Sequence, residues 1–427
     1  MTAYNVTNLN DNGPGSLREA LQATGERQVE FSVAGTIRLL EPIEVRPDVE
    51  VFGESAPAGG ICVADSYIKL LDTNNIKLHH LRMRPGAALG PASNGDAIQM
   101  INATNVLLSH CSLSWGIDEN LGISTGCSNI RIEDCIISEG LHDSVHTSGP
   151  HSMGMLAGGT STNIAVERCL FIHNNQRNPL IQNGRMDFIN NVVYCTGNRA
   201  AQFYDEVGLV QVNVIGNYWK YPEPFYEVES IVFYYDFDNK RVFLYMDGNY
   251  MPALPDAAQN EMVKLTAAHA LESSINEFIV VDPFPMLYTY DNIMTAQAAY
   301  EYVLENAGAF PRDSVDKRVT ADALNGTGTL INDPSEVGGW PELETIMASQ
   351  ETISLVVDKI VAEFSSDVEL FKTWLHRSRL EAEYDTLESR MRKLEAAQDI
   401  RNAAYLAERL TLAEQVAAKQ EEIDALS

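Results

Sequence analysis

Seven segments between residues 76 and 251 share one pattern of apolar and polar positions. They begin at Ile76, Val106, Ile130, Ile164, Met186, Val212 and Leu244. Each alternates apolar with polar residues and then continues with further apolar ones, and alternation with a period of two predicts a β-strand. Repeated strands separated by spacers of irregular length predict a solenoid, in which every turn stacks on the turn before it. The expected fold is an all-β, right-handed parallel β-helix.

The sixth position of each segment predicts a vertical ladder inside this solenoid. These positions are Leu81, Cys111, Cys135, Cys169, Asn191, Asn217 and Asn249. In a parallel stack they would lie above one another, so that the asparagines hydrogen-bond along the axis and satisfy their buried amides. The cysteines would be small apolar fillers rather than disulfides or metal ligands. The alternative is a coincidence of buried positions in unrelated strands.

The flanking segments divide the chain into three predicted parts. Residues 1–252 form the β-helix, with strands from Val29 and Val49 and a short helix at 15–22, capped by Ser16, that closes the open end. Residues 253–345 form an irregular and helical segment on the outside of the β-helix. Within it, 265–276 and 295–306 are predicted helices, whereas 312–319 and 323–330 are predicted surface segments.

The third part, residues 346–427, is a predicted α-helical or coiled-coil tail. From Glu342 to Ser427 the chain has neither Gly nor Pro, and it is rich in Ala, Glu, Leu, Arg and Lys. A narrow seam of apolar residues begins at Leu380 and needs a partner helix. That partner is another copy of the chain, giving a dimer or trimer, or a larger assembly. A break near Gln398 leaves a hairpin open as the alternative.

Charge restricts the possible partners. The formal net charge is -29, which excludes nucleic acid, because phosphate contacts need clustered Lys and Arg. An acidic polysaccharide could bind if a divalent cation bridged carboxylates on both sides. No apolar run is long enough to span a membrane, and no secretory signal is visible in the polar residues 1–12.

Residues 1 to about 345 resemble polysaccharide lyase family 1, the pectate lyases. The resemblance rests on motifs in one order along the chain, which include GPGSLREAL from Gly13, HCSLSWGIDE from His110, RNPL from Arg177, DFINNVVY from Asp187 and PRDSVDKRV from Pro311. It implies a pectate lyase-like β-helix that cleaves a uronic-acid polysaccharide by β-elimination with bound Ca²⁺. The tail lies outside the resemblance.

The resemblance also implies functional residues. Arg177 matches the catalytic arginine, and Asp96 and Asp118 match calcium-binding aspartates, with Glu119 as a neighbouring candidate ligand. Carboxylates from adjacent turns would supply the hard oxygen donors that calcium needs. Without the family match, Arg177 could equally pair with a surface acid, and the two acids at 118 and 119 could form a solvated loop.

Several positions depart from the family pattern. Ser109 replaces an aspartate before His110, Gly122 replaces a second calcium aspartate, and Gln182 replaces a substrate-binding arginine. No lysine occurs near His151, where a substrate-binding lysine is expected, and Arg185 could supply a cation instead. These losses imply a less acidic substrate, weak binding of metal and substrate, or binding without catalysis.

Candidate substrate contacts are therefore His110, Trp115, His151, Gln182 and Arg185. Trp115 could stack on a sugar ring, although core packing is the equal alternative. The histidine-rich loop at 142–151 is interpreted as a polar rim over the groove rather than as a metal cluster.

The predicted function is a glycan-binding or glycan-cleaving β-helix. The helical tail, the missing signal and the acidic composition place it in a phage tail spike or fibre. The alternatives are a free, secreted pectate lyase and a catalytically inactive structural protein or adhesin.

Overall fold

The computed structural model describes residues 1–57, 59–88, 95–194, 197–222, 231–233, 241–265 and 275–343. The predicted helical tail at 346–427, and with it the predicted oligomerisation, lies outside these residues. Within the described part, no helix is both long and apolar enough to cross a membrane.

The described residues form 28 strands and three α-helices. The helices are α1 (Leu17–Gln22), α2 (Ala296–Asn306) and α3 (Ser314–Asn325). Short 3-10 helices cover Gly53–Ser55, Gln259–Met262, Ile275–Glu277 and Pro334–Val337. The strands are β1 (Thr2–Val6), β2 (Arg27–Phe31), β3 (Gly35–Arg38), β4 (Ile43–Glu44), β5 (Val49–Phe52), β6 (Ile61–Ala64), β7 (Ile68–Leu71), β8 (Asn74–His79), β9 (Leu81–Arg84), β10 (Ile98–Ile101), β11 (Thr104–Ser109), β12 (Ser112–Ser114), β13 (Glu119–Thr125), β14 (Ser128–Glu133), β15 (Ile136–Ser138), β16 (Met153–Ala157), β17 (Thr162–Glu167), β18 (Leu170–Ile172), β19 (Leu180–Ile181), β20 (Gly184–Ile189), β21 (Val192–Tyr194), β22 (Gln202–Phe203), β23 (Val210–Ile215), β24 (Tyr218–Lys220), β25 (Ile231–Phe233), β26 (Val242–Asp247), β27 (Val263–Leu265) and β28 (Ile279–Val280).

The strands form three parallel sheets that run along a right-handed β-helix. Sheet 1 has the order β1-β2-β5-β8-β11-β14-β17-β20-β23-β26-β28. Sheet 2 has the order β27-β25-β22-β19-β16-β13-β10-β7-β4, and sheet 3 the order β24-β21-β18-β15-β12-β9-β6-β3. From β2 to β25, each of eight successive turns gives one strand to each sheet, so the predicted parallel solenoid is confirmed.

The register of sheet 1 matches the repeat in the sequence. Val106 pairs with Ile76 on one side and with Ile130 on the other. The same row continues through Ile164 and Met186, and then through Val212 to Leu244. The first residues of all seven segments therefore lie in one line. The first six segments each cover two strands, because a residue in the left-handed conformation, such as His80 with φ 51°, turns the chain from sheet 1 into sheet 3.

The predicted ladder is also confirmed. The Asn191 backbone and side-chain amides donate to Asn217 Oδ1 at 2.8 and 3.1 Å, and the Asn217 amides donate to Asn249 Oδ1 at 3.1 and 3.0 Å. Below them, the Cys169 backbone N–H donates to Asn191 Oδ1 at 2.9 Å. The five cysteines in the described residues are buried free thiols. Buried amides and apolar thiols thus share one continuous vertical line.

At the N-terminus, α1 closes the β-helix as predicted. Ser16 Oγ accepts a hydrogen bond from the Glu19 backbone N–H at 3.2 Å, and Leu17 and Leu21 are buried. The C-terminal predictions are mixed. The predicted helix at 295–306 is α2, but the described ends of the segment at 265–276 belong to β27 and to a 3-10 helix. Since β27 and β28 extend sheets 2 and 1, the β-helix continues past the predicted boundary at 252.

The prediction of a surface segment at 312–319 is wrong, because this stretch begins α3 and is largely buried. Asp313 caps the helix, and Gly326 ends it with φ 74°. Asp313 and Asp316 reach two buried arginines of β9, and Arg84 contacts both acids at 2.5 and 2.7 Å. Arg84 lowers the pKa of Asp313 to about 2 although burial opposes this shift. These ion pairs attach α3 to sheet 3.

Replacing Asn217 by alanine tests the ladder. We expect the free energy of unfolding to fall by at least about 2 kcal/mol, because donors of Asn191 and the Oδ1 of Asn249 lose a buried partner. Chemical denaturation measures this loss. Asn12→Ala, at an exposed loop position, is the matched control and should leave stability nearly unchanged. Equal stability of the two variants would refute the structural role of the ladder.

Candidate active site

Five of the nine predicted site residues, Asp96, Asp118, Glu119, His151 and Arg177, meet at one corner of the β-helix, where the chain enters sheet 2. Asp96 precedes β10, Asp118 and Glu119 lie at the start of β13, His151 precedes β16, and Arg177 precedes β19. These four strands are consecutive neighbours in sheet 2. Residues far apart in sequence therefore lie on adjacent turns, at the same height along their strands.

Three carboxylates form the centre of this corner. Oxygen atoms of Asp96, Asp118 and Glu119 lie within 4.8 Å of one another. Asp96 and Glu119 are buried, whereas the Asp118 side chain is 26% exposed. The Glu119 backbone N–H donates to Asp96 Oδ1 at 3.1 Å, which fixes the Asp96 carboxylate against β13. The cluster thus opens towards solvent only at Asp118.

Burial and the repulsion of neighbouring carboxylates disfavour the charged forms of Asp96 and Glu119. Burial, followed by the charges of Glu119 and Asp118, raises the pKa of Asp96 well above its usual value. Burial and then Asp118 raise the pKa of Glu119 to about 7, even though Arg177 acts in the opposite direction. A cluster that holds more negative charge than its surroundings neutralise is suited to a cation.

Arg177 is the cation that contacts the cluster. Its Nη1 donates to Glu119 Oε1, and the side chain is 26% exposed. Its backbone N–H donates to Gln202 Oε1 at 2.8 Å, so β22 on the next turn fixes the backbone of this residue. The guanidinium therefore lies at the edge of the carboxylates with one side open to solvent.

A buried amide network supports this corner from below. Asn120 donates to Asn174 Oδ1 at 2.9 Å and to the Ser138 carbonyl at 2.9 Å. Asn174 donates in turn to Asn178 Oδ1 at 3.0 Å, next to Arg177. These hydrogen bonds connect the strand that holds Glu119 with the turn that holds Arg177. The sequence shows these asparagines but gives no sign that they meet.

The histidine loop approaches Asp118 from the other side. His151 Nε2 lies 3.4 Å from Asp118 Oδ1, and His146 Nε2 lies 3.5 Å from Asp118 Oδ2. The two imidazole rings stack with their centroids 3.4 Å apart. Burial lowers the pKa of His151, against the effect of Asp118. His142 instead faces the His151 carbonyl, with Nδ1 3.0 Å from that oxygen.

The space beside Gly122 is occupied by a neighbouring side chain rather than by solvent. A Cβ at this position would lie 2.0 Å from Asp96 Oδ2. The space that a side chain on β13 would occupy therefore belongs to the Asp96 carboxylate. Because the Asp96 carboxylate occupies this space, there is no room at position 122 for the second aspartate of the family pattern.

Two predicted substrate contacts need correction. Trp115 is fully buried; its Nε1 donates to Glu139 Oε2 at 3.0 Å and its ring packs against Trp340, so it cannot stack on a sugar. His110 lies on the turn from sheet 1 to sheet 3, where it stacks on His80 and contacts the Asn306 carbonyl. It belongs to the contact with the C-terminal segment and not to the corner at sheet 2.

Arg185 also lies elsewhere, because the chain has already turned into sheet 1 at β20. Its guanidinium contacts the Pro285 carbonyl and the Phe284 ring. Gln182 stays on sheet 2, but it lies beyond the far end of β19 and donates to Glu206 Oε2 at 2.7 Å. Arg185 is thus no replacement for the missing cation at this corner, and a substrate role for Gln182 stays a prediction.

Further polar residues, which were not predicted from the sequence, lie on the turns after Arg177. Arg199 Nη1 lies 3.5 Å from Gln176 Oε1, and Gln202 Nε2 donates to the Tyr204 hydroxyl at 2.6 Å. These side chains extend the polar corner towards β22. Their spacing from Arg177, close to one turn of the solenoid, is the signal that could have identified them.

Proteins named probable pectate lyase C are similar in sequence to this chain. The chain is 31% identical over 348 residues to a probable pectate lyase C of Aspergillus oryzae. The alignment covers 80% of this chain and 77% of that protein. The chain is 34% identical over 348 residues to a probable pectate lyase C of Aspergillus terreus, with the same coverage. This chain belongs to the pectate lyase family. No protein-family model matches the sequence.

Solved structures support the same fold. Jun a 1, the major allergen from cedar pollen, gives a TM-score of 0.54 at 17% identity and covers 72% of this chain and 88% of its own. The thermostable pectate lyase PL 47 gives 0.52 at 12% identity, with coverage of 73% and 92%. At such identities the likeness shows the parallel β-helix alone. The relatives favour the alternative of a free pectate lyase over the predicted tail spike, for which the comparisons give no support.

The raised pKa values predict how stability depends on pH. For an acid whose pKa is higher in the folded state, stability is full below the unfolded pKa and is lost as the pH rises through the folded pKa, here about 7 for Glu119. In chelator, we expect the wild-type chain to lose about 2–3 kcal/mol more than an Asp96→Asn, Glu119→Gln variant between about pH 5 and pH 8. Urea denaturation at both pH values measures this, and parallel losses would contradict it.

A second prediction concerns Gly122. Gly122→Ala and Gly122→Asp both displace the Asp96 carboxylate, so we expect calcium affinity to fall by at least about tenfold. Calorimetric titration with Ca²⁺ measures the affinity. Ser124→Ala, two residues further along β13, is the control and should bind as wild type. Tighter binding by Gly122→Asp would show that Asp96 does not depend on this space.

Proposed function

We propose that this chain cleaves an acidic, uronate-containing polysaccharide by β-elimination and acts as a free lyase outside the cell. The observation that supports this most directly is the meeting of three carboxylates and Arg177 on consecutive turns of a pectate lyase β-helix. The role of each residue at this corner is also part of the proposal.

Asp96, Asp118 and Glu119 fit a calcium ion. Their donors are all carboxylate oxygens, which suit hard cations, and burial together with neighbouring negative charge raises the pKa of Asp96 and of Glu119. Calcium takes about six to eight oxygen ligands, so the exposed side at Asp118 leaves room for water and for a substrate carboxylate. When bound, the ion would neutralise the substrate carboxylate next to the carbon that loses its proton.

Arg177 is the proposed base. Its guanidine nitrogen takes the proton from the carbon beside the uronate carboxylate. The electron pair of that C–H bond forms a carbon–carbon double bond, and the bond to the glycosidic oxygen breaks, with a proton for the departing oxygen coming from solvent. Glu119 holds Nη1 of Arg177, and a calcium ion bound at this corner would compete with Arg177 for that carboxylate.

The charge of the chain fits a substrate that needs a bridging cation. A protein of net charge -29 repels a polyanion unless metal ions link carboxylates on both sides. One structural neighbour with a TM-score of 0.50 is described as a pectate lyase bound to hexasaccharide. We extend that type of ligand, an oligosaccharide, to this corner of the chain and propose that it is acidic.

A second candidate function is glycan binding without catalysis. The specific observation in its favour is that Arg177 is the cation that contacts the carboxylates, while Gln182 pairs with Glu206 and Arg185 lies on sheet 1. A cleft with so few positive groups would hold an acidic chain weakly. A cleavage assay distinguishes this candidate from the first.

The decisive variant is Arg177→Lys. With polygalacturonate and Ca²⁺ we expect the wild type to release unsaturated product, detected by its ultraviolet absorbance, and chelation to abolish this release. Loss of the base lowers the rate by about 10²–10⁴-fold. Arg185→Lys is the matched control and should retain the wild-type rate, because that side chain contacts Pro285 and Phe284 instead.

Three outcomes are informative. Product from wild type and loss in Arg177→Lys support the lyase. Retained binding of oligogalacturonate by wild type, with no product from any uronate polymer, supports the binding function instead. Equal rates for the lysine variants at 177 and 185 would remove Arg177 from the proposed mechanism.

A further inference from the structure

Asp118 has a second set of neighbours that the proposed lyase site does not use. His151 Nε2 and His146 Nε2 each face one of its two oxygens, at 3.4 and 3.5 Å. An N–H···O hydrogen bond usually spans about 2.7–3.2 Å, so both separations are long for direct bonding. Two ligand atoms on a tetrahedral ion with bonds of about 2.0–2.1 Å lie about 3.4 Å apart. The observed separations agree with that second value.

The hydrogen bonding of His151 points its free electron pair at Asp118. His151 Nδ1 lies 3.3 Å from the Gly149 carbonyl oxygen, which can only accept a hydrogen bond. The proton of the neutral ring therefore belongs on Nδ1, and Nε2 presents a lone pair to the carboxylate. Two electron-rich atoms that face each other in this way are stabilised by a cation between them.

His146 provides the independent observation. Its side chain is only 4% exposed, and Nε2 has no hydrogen-bond partner among the described residues. Burying a polar atom without a hydrogen bond is costly, so an atom of this kind indicates a missing partner. Nδ1 accepts from the Ser148 backbone N–H at 3.1 Å, which places the proton of the neutral ring on Nε2, so metal binding at Nε2 would displace this proton and open the contact to Ser148. His146 is for this reason the weaker of the two nitrogen ligands.

We propose that Asp118, His146 and His151 form a binding site for a divalent transition-metal ion such as Zn²⁺. Two imidazole nitrogens and one carboxylate are donors that suit zinc, copper or nickel, whereas calcium prefers oxygen alone. The three donor atoms lie within 4.8 Å of one another. The exposed edge of Asp118 leaves a fourth position for water.

The site shares Asp118 with the carboxylate cluster, and this sharing couples the two. Both Asp118 oxygens face the histidines. An ion bound there neutralises negative charge of Asp118 that the carboxylate cluster would otherwise offer to calcium, so Zn²⁺ lowers the affinity for Ca²⁺. This consequence rests on the proposed calcium site, whereas the binding of Zn²⁺ does not.

Calorimetric titration of the full chain with ZnCl₂, after removal of any histidine tag, tests the proposal. We expect one tight site per chain. His151→Gln lowers the affinity by at least about tenfold, and His146→Gln lowers it by a smaller factor. His110→Gln is the matched control, because that histidine lies at a different corner of the β-helix, between sheets 1 and 3. Asp96→Asn should lose calcium affinity while it keeps zinc.

Melting temperatures of the metal-free variants establish that each is folded. Should His151→Gln fail to fold, the visible absorption of Co²⁺ bound to wild type reports a nitrogen-containing, four-coordinate site without any substitution. The proposal is overturned if both histidine variants bind zinc as tightly as wild type. It is also overturned if wild type shows neither tight zinc binding nor this absorption. Loss of zinc binding with calcium-dependent cleavage intact, or the reverse, shows which of the two sites has failed.

Discussion

The parallel register of successive turns is the constraint on which this structure depends. Every residue of a strand lies above its counterpart on the previous turn, so a polar group inside the stack must find its partner directly above or below. The line from Cys169 through Asn191 and Asn217 to Asn249 meets this requirement with amide hydrogen bonds. A shift by one residue would leave these amides unsatisfied and turn apolar side chains outwards.

The same constraint assembles the candidate active site. Asp96, Glu119, His151 and Arg177 are separated by long and unequal loops, yet each lies just before or at the start of its strand in sheet 2. Because the strands are in register, these positions coincide at one corner. The loops can vary in length without disturbing the corner, provided that each returns the chain to the same height.

Two acidic clusters in the molecule differ in how far nearby arginines neutralise their negative charge. Asp313 and Asp316 are buried beside Arg82 and Arg84, and the pKa of Asp313 is lowered to about 2. In the cluster of Asp96, Asp118 and Glu119, Arg177 contacts Glu119, and the pKa of Glu119 is raised to about 7. The first cluster is neutralised by the chain itself and attaches α3. The second retains an excess of negative charge, which is the property of a site that awaits a cation.

The sequence by itself determined the strands, their parallel order, the ladder and the cap helix, because these follow from local periodicity and from one repeated position. It also identified the residues at the corner of sheet 2, although only through the resemblance of their motifs. Tertiary structure decided what local patterns do not contain. Trp115 and His110 are turned away from the corner by contacts with residues near 306 and 340, α3 is buried through ion pairs with β9, and His146 meets Asp118. Such contacts join residues from distant parts of the chain, and their energies depend on burial and charge that exist only once the turns are stacked.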